Sequence, residues 1–343
     1  RVSLTSEQRS ALRKALSFDD PTVARATALD PMSKDAGEIV MLVGIQASGK
    51  SSLARTLAEQ GYSRLNRDER GGTLAGIAKE LQQRLAAGER RIVLDNTYVT
   101  RAQRGRVLEL AAQFGVPVRA VYLNIALEIA QVRAVRRMLE GGEGLLQPEA
   151  LRAAAKHNPH AFPPMVLLRA NRELEAPRLD EGYCAIDEQQ TPRPAERLVD
   201  LTQVTEFEAV AILADCLAHP SLPLAESLAA WRIDLAAKPL LVFAWCLPEV
   251  ETQLQAQLAT LKALSVDSAL CAHGGGPPLC WCRPPLPGLL LAWAHHRGIA
   301  LERCLVIGTG PAHRAMARAV GAAFSLCRTV YDSSGSSANS ARK

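Results

Sequence analysis

The chain has 343 residues, 48% of them apolar and 22% charged, which is more than one core usually organises, so two globular units are expected. No run of eighteen apolar residues occurs and the first thirty residues lack the order of a secretion signal, so a soluble protein, located in the cytoplasm, is expected. The net charge of +5 suits a polyanionic partner without demanding one, and only 4% of residues are aromatic, too few for an extended platform that stacks single strands. Beginning at Arg1 rather than at a methionine is what a piece of a longer chain would show.

Residues 1–35 read as a helical appendage broken by Pro21 and Pro31. From residue 36 to 187 strands and helices alternate. Strands are expected at Ile39–Val43, Tyr62–Leu65, Arg91–Leu94 and Val118–Asn124, and helices from Lys50, at Leu74–Ala87, Arg101–Phe114 and Leu127–Leu139. Such alternation predicts an α/β fold with a doubly wound parallel sheet. Residues 188–238 read as linker and helices, with the polar, proline-bearing stretch Glu188–Pro194 as the join. A second, smaller α/β unit is expected over 239–331, starting with a strand from Pro239 to Phe243, and a serine-rich disordered tail over 332–343.

The first strand runs into Gly44-Ile45-Gln46-Ala47-Ser48-Gly49-Lys50-Ser51, a G-x-x-x-x-G-K-S loop between a strand and a helix. Backbone N–H groups from Gly44, Ala47, Ser48, Gly49 and on to Ser52 can wrap the phosphates of ATP. Lys50 neutralises β and γ oxygens, and Ser51 supplies a ligand to Mg2+. A chance match in a turn is a poor account of a motif in this context.

The next two strands end in Asn66-Arg67-Asp68 and Asp95-Asn96-Thr97. Ligands of doubly wound sheets lie at such carboxyl ends. One aspartate can take the proton of an attacking hydroxyl and the other can serve the magnesium or acceptor side. Each could instead cap the helix that follows. The helix from Leu127 carries Arg133, Arg136 and Arg137, whose planar forks suit phosphate oxygens, although a solvated basic face would look the same. Arg67, Arg70, Asn96, Thr97 and Arg101 are candidates for the acceptor, with Arg104 a weaker one.

Asn66-Arg67-Asp68 with Gly71, Asp95-Asn96-Thr97, the arginine-rich helix opened by Leu127-Glu128, and Glu175-Ala176-Pro177 with Leu179 and Glu181-Gly182-Tyr183 resemble the kinase domain of the polynucleotide 5′-kinases, the animal kinase–3′-phosphatases in particular. The resemblance covers about residues 38–187, and the stretch Gly141–Pro164 departs from it. It implies a polynucleotide 5′-hydroxyl kinase of nucleic-acid end repair that uses ATP and Mg2+. Asp68 would be the general base, Lys50, Asp95 and Arg137 would share the catalytic work, and a DNA or RNA 5′-hydroxyl end would be the partner.

Cysteines are concentrated late in the chain, and Cys271-x-His273 followed six residues later by Cys280-x-Cys282 offers three thiolates and an imidazole, a closed tetrahedral set for structural Zn2+. Unrelated buried cysteines are the lesser alternative. With Arg283, Pro285, Pro287 and Gly288 behind it, the loop resembles the zinc loop of histidinol-phosphate and heptose-bisphosphate phosphatases of the haloacid dehalogenase superfamily. Laid on that fold, Leu240–Phe243 is the first strand and Cys304–Gly308 the fourth-motif strand. The resemblance then implies that the two motif aspartates are replaced by Ala244 and Cys246, the lysine by Pro284, and the acidic pair by Thr309 and His313. Phosphatase activity is expected to be absent, and the domain to dock a protein partner or stabilise its neighbour. Two other functions suit the same residues: a small-molecule kinase, and an ATP-switched binding module of a larger complex.

Overall fold

A computed structural model of the protein describes residues 37–67, 72–142, 144–217, 222–230 and 238–327. The expected N-terminal appendage and serine-rich tail lie outside the described residues, as do Asp68 and Arg70. Among the described residues no helix is long and apolar enough to cross a membrane.

The first half is built on a five-stranded sheet of β1 (Glu38–Val43), β2 (Ser63–Leu65), β3 (Arg91–Leu94), β4 (Val118–Ile125) and β5 (Ala185–Thr191), in the order β2-β3-β1-β4-β5. Every pairing is parallel. All six residues of β1 are buried, as a strand covered on both faces requires. Among the described residues four helices connect the strands: α1 (Lys50–Glu59), α2 (Leu74–Ala86), α3 (Arg101–Gln113) and α4 (Leu127–Glu140). Two more, α5 (Pro148–Ala154) and α6 (Pro164–Glu173), occupy the stretch between α4 and β5, each opened by a proline whose missing N–H costs a first turn nothing.

The join expected at Glu188–Pro194 is corrected. Residues 185–191 form β5, which pairs with β4 along its whole length. The strand has a neighbour on one side only, so its polar residues stay half-buried or exposed and carry no apolar signal.

The second sheet has six strands: β6 (Arg197–Leu198), β7 (Ala209–Leu213), β8 (Leu240–Trp245), β9 (Asp267–Cys271), β10 (Cys304–Gly308) and β11 (Ala323–Leu326), ordered β6-β11-β10-β7-β8-β9 and all parallel. Helices α7 (Ala214–Leu217), α8 (Leu224–Ala230), α9 (Glu251–Ala259), α10 (Gly288–Arg297) and α11 (Pro311–Val320) accompany it. This sheet starts well before residue 239. Its chain order reverses between β7 and β10, so β7 takes the place expected for Leu240–Phe243, which is the neighbouring strand β8. One apolar core joins the two halves: Ala134, Val135, Met138 and Leu139 of α4 cluster with Leu290, Leu291 and Trp293 of α10 and with Met316 and Val320 of α11.

Candidate functional site

The G-x-x-x-x-G-K-S loop leaves the buried β1 and folds into the first turn of α1. Ala47 sits at φ 58° and Gly49 at φ 108°, both left-handed, which turns successive N–H groups inward. A Cβ at Gly44 would stand 2.9 Å from Ser48 Oγ and 3.0 Å from the Leu123 carbonyl oxygen, so only glycine lets β1 and β4 close around the turn. Lys50 is buried, and its ammonium folds back to donate to the carbonyl oxygens of Gly44 (2.9 Å) and Ile45 (2.6 Å). No side chain caps α1, whose N-terminus with Ser51 and Ser52 faces the space that a phosphate would take.

Helix α4 crosses this loop. Arg133 Nη1 donates to the Ser48 carbonyl oxygen at 3.0 Å. Burial, and after it the charge of Arg133, pulls the Arg137 guanidinium below its ordinary value, with Arg55 of α1 adding to the repulsion. Three cations therefore crowd one side of the loop. Arg136 leaves that face and lines a cavity of about 390 Å³ between α4 and α10, with Leu291, His295 and Ile299. The expected trio is split into two arginines at the loop and one away from it.

At the carboxyl end of β3, Asp95 is buried and locked. Its Oδ2 accepts from Arg64 Nε (2.9 Å) and Nη2 (2.5 Å) and from Asn66 Nδ2 (2.9 Å). Asn96 stitches the same strand ends together, accepting from the Arg67 backbone N–H at 2.8 Å and donating to the Leu65 carbonyl oxygen at 3.1 Å. The turn that leads into Asp68 is thus held by both residues of the Asp95-Asn96 pair, and Thr97 lies half-buried beside them. Met41 pairs with Leu94 in the parallel ladder, so these strand ends adjoin the strand that carries the phosphate loop.

Arg101 and Arg104 are committed elsewhere. Arg101 pairs with Asp180 at 2.9 Å on the surface. Arg104 is fully buried, forked onto Glu181 (2.8 and 2.9 Å) and donating to the Glu175 carbonyl oxygen at 2.8 Å. It pins the Glu175–Glu181 segment to α3 and is a structural staple.

In the second half, β9 ends in Cys271, and the loop behind it gathers His273, Cys280 and Cys282, whose ligand atoms all lie within 4.8 Å of one another. Cys271 Sγ stands 3.6 Å from Cys280 Sγ and 3.4 Å from His273 Nδ1, which is 3.1 Å from Cys282 Sγ. A tetrahedron with Zn–S near 2.3 Å has edges of roughly 3.4–3.8 Å, so the donor set fits zinc in size and chemistry.

The topological reversal between β7 and β10 is where a second ligand site would fall. Ala214 and Cys216 stand there in place of the expected Ala244 and Cys246, with the exposed Asp215 between them. Hydrogen bonding to Cys327 and burial push the Cys216 thiol up. Across the gap, burial lowers His313, and its Nδ1 has no partner among the described residues. The His313 side chain occupies the place a Cβ at Gly308 would take, 2.6 Å from the His313 Cβ.

Sequence reasoning overlooked three residues. Arg64 was readable, because it precedes Asn66 by two residues, the spacing that puts side chains of an extended segment on one side. Gln147 and Trp281, described below, carried no local signal.

The phosphate loop on a parallel sheet, crossed by an arginine-bearing helix, defines a P-loop phosphotransferase scaffold. Residues 39–177 match the AAA domain family, and this stretch is similar to P-loop kinase domains. The chain is similar to a bifunctional polynucleotide phosphatase/kinase of Schizosaccharomyces pombe, 29% identical over 154 residues, which cover 44% of this chain and 33% of that protein. The chain thus spans about a third of the length of the curated relative it matches. Among solved structures, a gluconokinase from Sinorhizobium meliloti is 20% identical with a TM-score of 0.31, over 46% of this chain and 85% of that one. The D,D-heptose 1.7-bisphosphate phosphatase from B. bronchiseptica is 22% identical with a TM-score of 0.28, over 35% and 79%.

Proposed function

We propose that the chain is an ATP-dependent polynucleotide 5′-hydroxyl kinase of nucleic-acid end repair, working in the cytoplasm. The observation that carries the reading is the phosphate loop flanked by the Asp95-Asn96 clamp, which holds the turn into Asp68. The similarity of 154 residues to a polynucleotide phosphatase/kinase supports the acceptor class.

In this reading the Gly44–Ser52 loop holds the β- and γ-phosphates of ATP, with Ala47, Ser48, Gly49, Ser51 and Ser52 donating through their N–H groups. Lys50, drawn off the carbonyl oxygens it now faces, follows the charge as it moves to the leaving group. Mg2+ on Ser51 would neutralise the phosphate oxygens when bound. Asp68 takes the proton of the 5′-hydroxyl. The freed oxygen forms a bond to the γ-phosphorus as the bond to the β-phosphate oxygen breaks, which releases ADP. Arg133 and Arg137 supply the counter-charge, and Asp95 fixes Arg64 and Asn66 under the acceptor turn. Arg67, Asn96 and Thr97 line the acceptor side.

The division of the chain falls between β5 and β6, giving a kinase unit over 36–191 and a haloacid-dehalogenase-like unit over 197–327 that holds structural Zn2+ on Cys271, His273, Cys280 and Cys282. This second unit has no phosphatase activity in our reading, because its sheet offers neither a pair of aspartates nor a lysine at β7 and β10.

The test is transfer of labelled γ-phosphate from ATP to DNA and RNA oligonucleotides with 5′-hydroxyl ends. Label that disappears with Asp68→Ala supports the reading. ATP binding without transfer to any oligonucleotide refutes it. Release of phosphate from a 3′-phosphate end that is lost with Asp215→Asn would refute the inactivity of the second unit.

A further inference from the structure

Helix α4 is held from two sides. One face turns Arg133 and Arg137 toward the phosphate loop, where Arg55 adds a third positive charge. Arg55 and Arg137 repel across this face, and the Arg133 hydrogen bond to the Ser48 carbonyl oxygen is the contact that opposes them there. The other face packs on α10 and α11, and Arg318 of α11 donates to Glu128 at 3.1 Å.

The stretch that follows α4, from residue 144 to 163, rests on the cysteine-bearing loop. His273 Nε2 meets Gln147 Oε1 while Nδ1 faces the thiols. With Nδ1 given to a metal, Nε2 carries the proton and donates to the Gln147 carboxamide, the outer partner that fixes a ligating imidazole. Trp281, between Cys280 and Cys282, is fully buried; its indole N–H donates to the Phe162 carbonyl oxygen at 2.9 Å, and its ring meets the Phe162 ring edge-on at 6.0 Å. Gly288, which opens α10, leaves no room for a Cβ between the Trp281 carbonyl oxygen and Leu145 Cδ1. The loop itself has three consecutive glycines and five prolines between residues 274 and 287, and no helix or strand. Beyond Trp281 and Leu286 it has little apolar side chain to pack, so the Cys and His ligands carry much of its shape.

We propose that the Cys271–His273–Cys280–Cys282 centre buttresses helix α4, so that zinc held in one half of the chain keeps Arg133 and Arg137 over the phosphate loop of the other. Gln147 and Trp281 are the positioning residues that transmit the constraint. The inference rests on the zinc reading, but not on ATP or the acceptor.

The test uses the full chain. Zinc content is measured first, and amide hydrogen exchange is then followed over residues 127–140 and 144–163 before and after a chelator, and after Zn2+ is restored. Exchange in both stretches should rise on removal and return on restoration. A protein that loses zinc, stays folded by circular dichroism and exchanges unchanged over 127–140 overturns the proposal; a protein purified without zinc overturns the zinc reading and the proposal together. Where removal unfolds the chain, Gln147→Leu decides with zinc still bound. It should release zinc about 10–100-fold faster and loosen 127–140, while Gln147→Glu, which keeps an acceptor oxygen, should restore both. Unchanged exchange in Gln147→Leu overturns the coupling. ATP-analogue affinity, measured in parallel, separates a failed nucleotide reading, in which binding is absent whether or not zinc is present.

Discussion

Arg137→Met separates a residue kept for a ligand from one kept for the fold. In the free protein Arg137 is half-buried on α4 one turn from Arg133, and both burial and that neighbour work against its charge. Like charges at this helical spacing cost about 0.2–0.5 kcal/mol, and a methionine keeps the stem's packing without the partly dehydrated cation. The variant should therefore be as stable as the wild type or more so, by up to about 1 kcal/mol. Bound to ATP the balance reverses. A charge-assisted hydrogen bond to phosphate contributes about 1.5–3 kcal/mol, so ATP affinity should fall roughly 10- to 150-fold. Thermal unfolding with and without Mg–ATP, together with calorimetric titration, reads both halves. A melting temperature for the free protein that drops by several degrees, or an ATP affinity within twofold of wild type, would refute the assignment of Arg137 to the phosphates.

Arg104→Met should behave in the opposite way, leaving Glu181 buried without its fork and costing about 3–5 kcal/mol in denaturant unfolding, with Arg104→Met/Glu181→Gln recovering a large part. Gly44→Ala should abolish nucleotide binding while the second half stays folded, because its Cβ would press on Ser48 Oγ and the Leu123 carbonyl oxygen; wild-type affinity in a binding titration would count against the loop geometry. His313 is held neutral by burial, so its folded pKa lies below the unfolded value near 6.5. The unfolded chain then takes up the proton first, and stability should decline as pH falls below about 6.5; His313→Gln should flatten that decline, as melting temperatures across pH 5–7.5 would show.

The phosphate loop and the elements around it were legible because each carries a strong local signal. An apolar strand, a glycine-lysine-serine loop and a helix with 3.6-residue periodicity follow one another without interruption, and the observed ends fall within a residue or two of those expected. What stayed hidden depends on contacts distant in sequence. Arg104 reads as one more cation on an exposed helix until Glu181, 77 residues away, is brought beneath it. Strand β5 reads as a linker because an edge position tolerates Glu188, Gln189 and Gln190. Arg136 is as basic as its neighbours, but it lies about 100° round the helix from Arg137 and faces α10 instead of the loop.

The misplaced first strand of the second sheet has a specific cause. Ala209–Leu213 runs into Ala214-Asp215-Cys216, while Leu240–Phe243 runs into Ala244-Trp245-Cys246. Both are short apolar strands followed by alanine, one residue and cysteine, and local pattern gives no reason to prefer either. Topology does, since only β7 adjoins β10, where the chain order reverses and the carboxyl ends splay to admit a ligand. The choice has chemical weight, because it brings Asp215 to the opening where a tryptophan was expected. Asp215 faces the half-buried His313 imidazole, which burial holds below its ordinary value, and the buried thiols of Cys216 and Cys327. The second half touches the first through its apolar packing on α4 and through its cysteine loop.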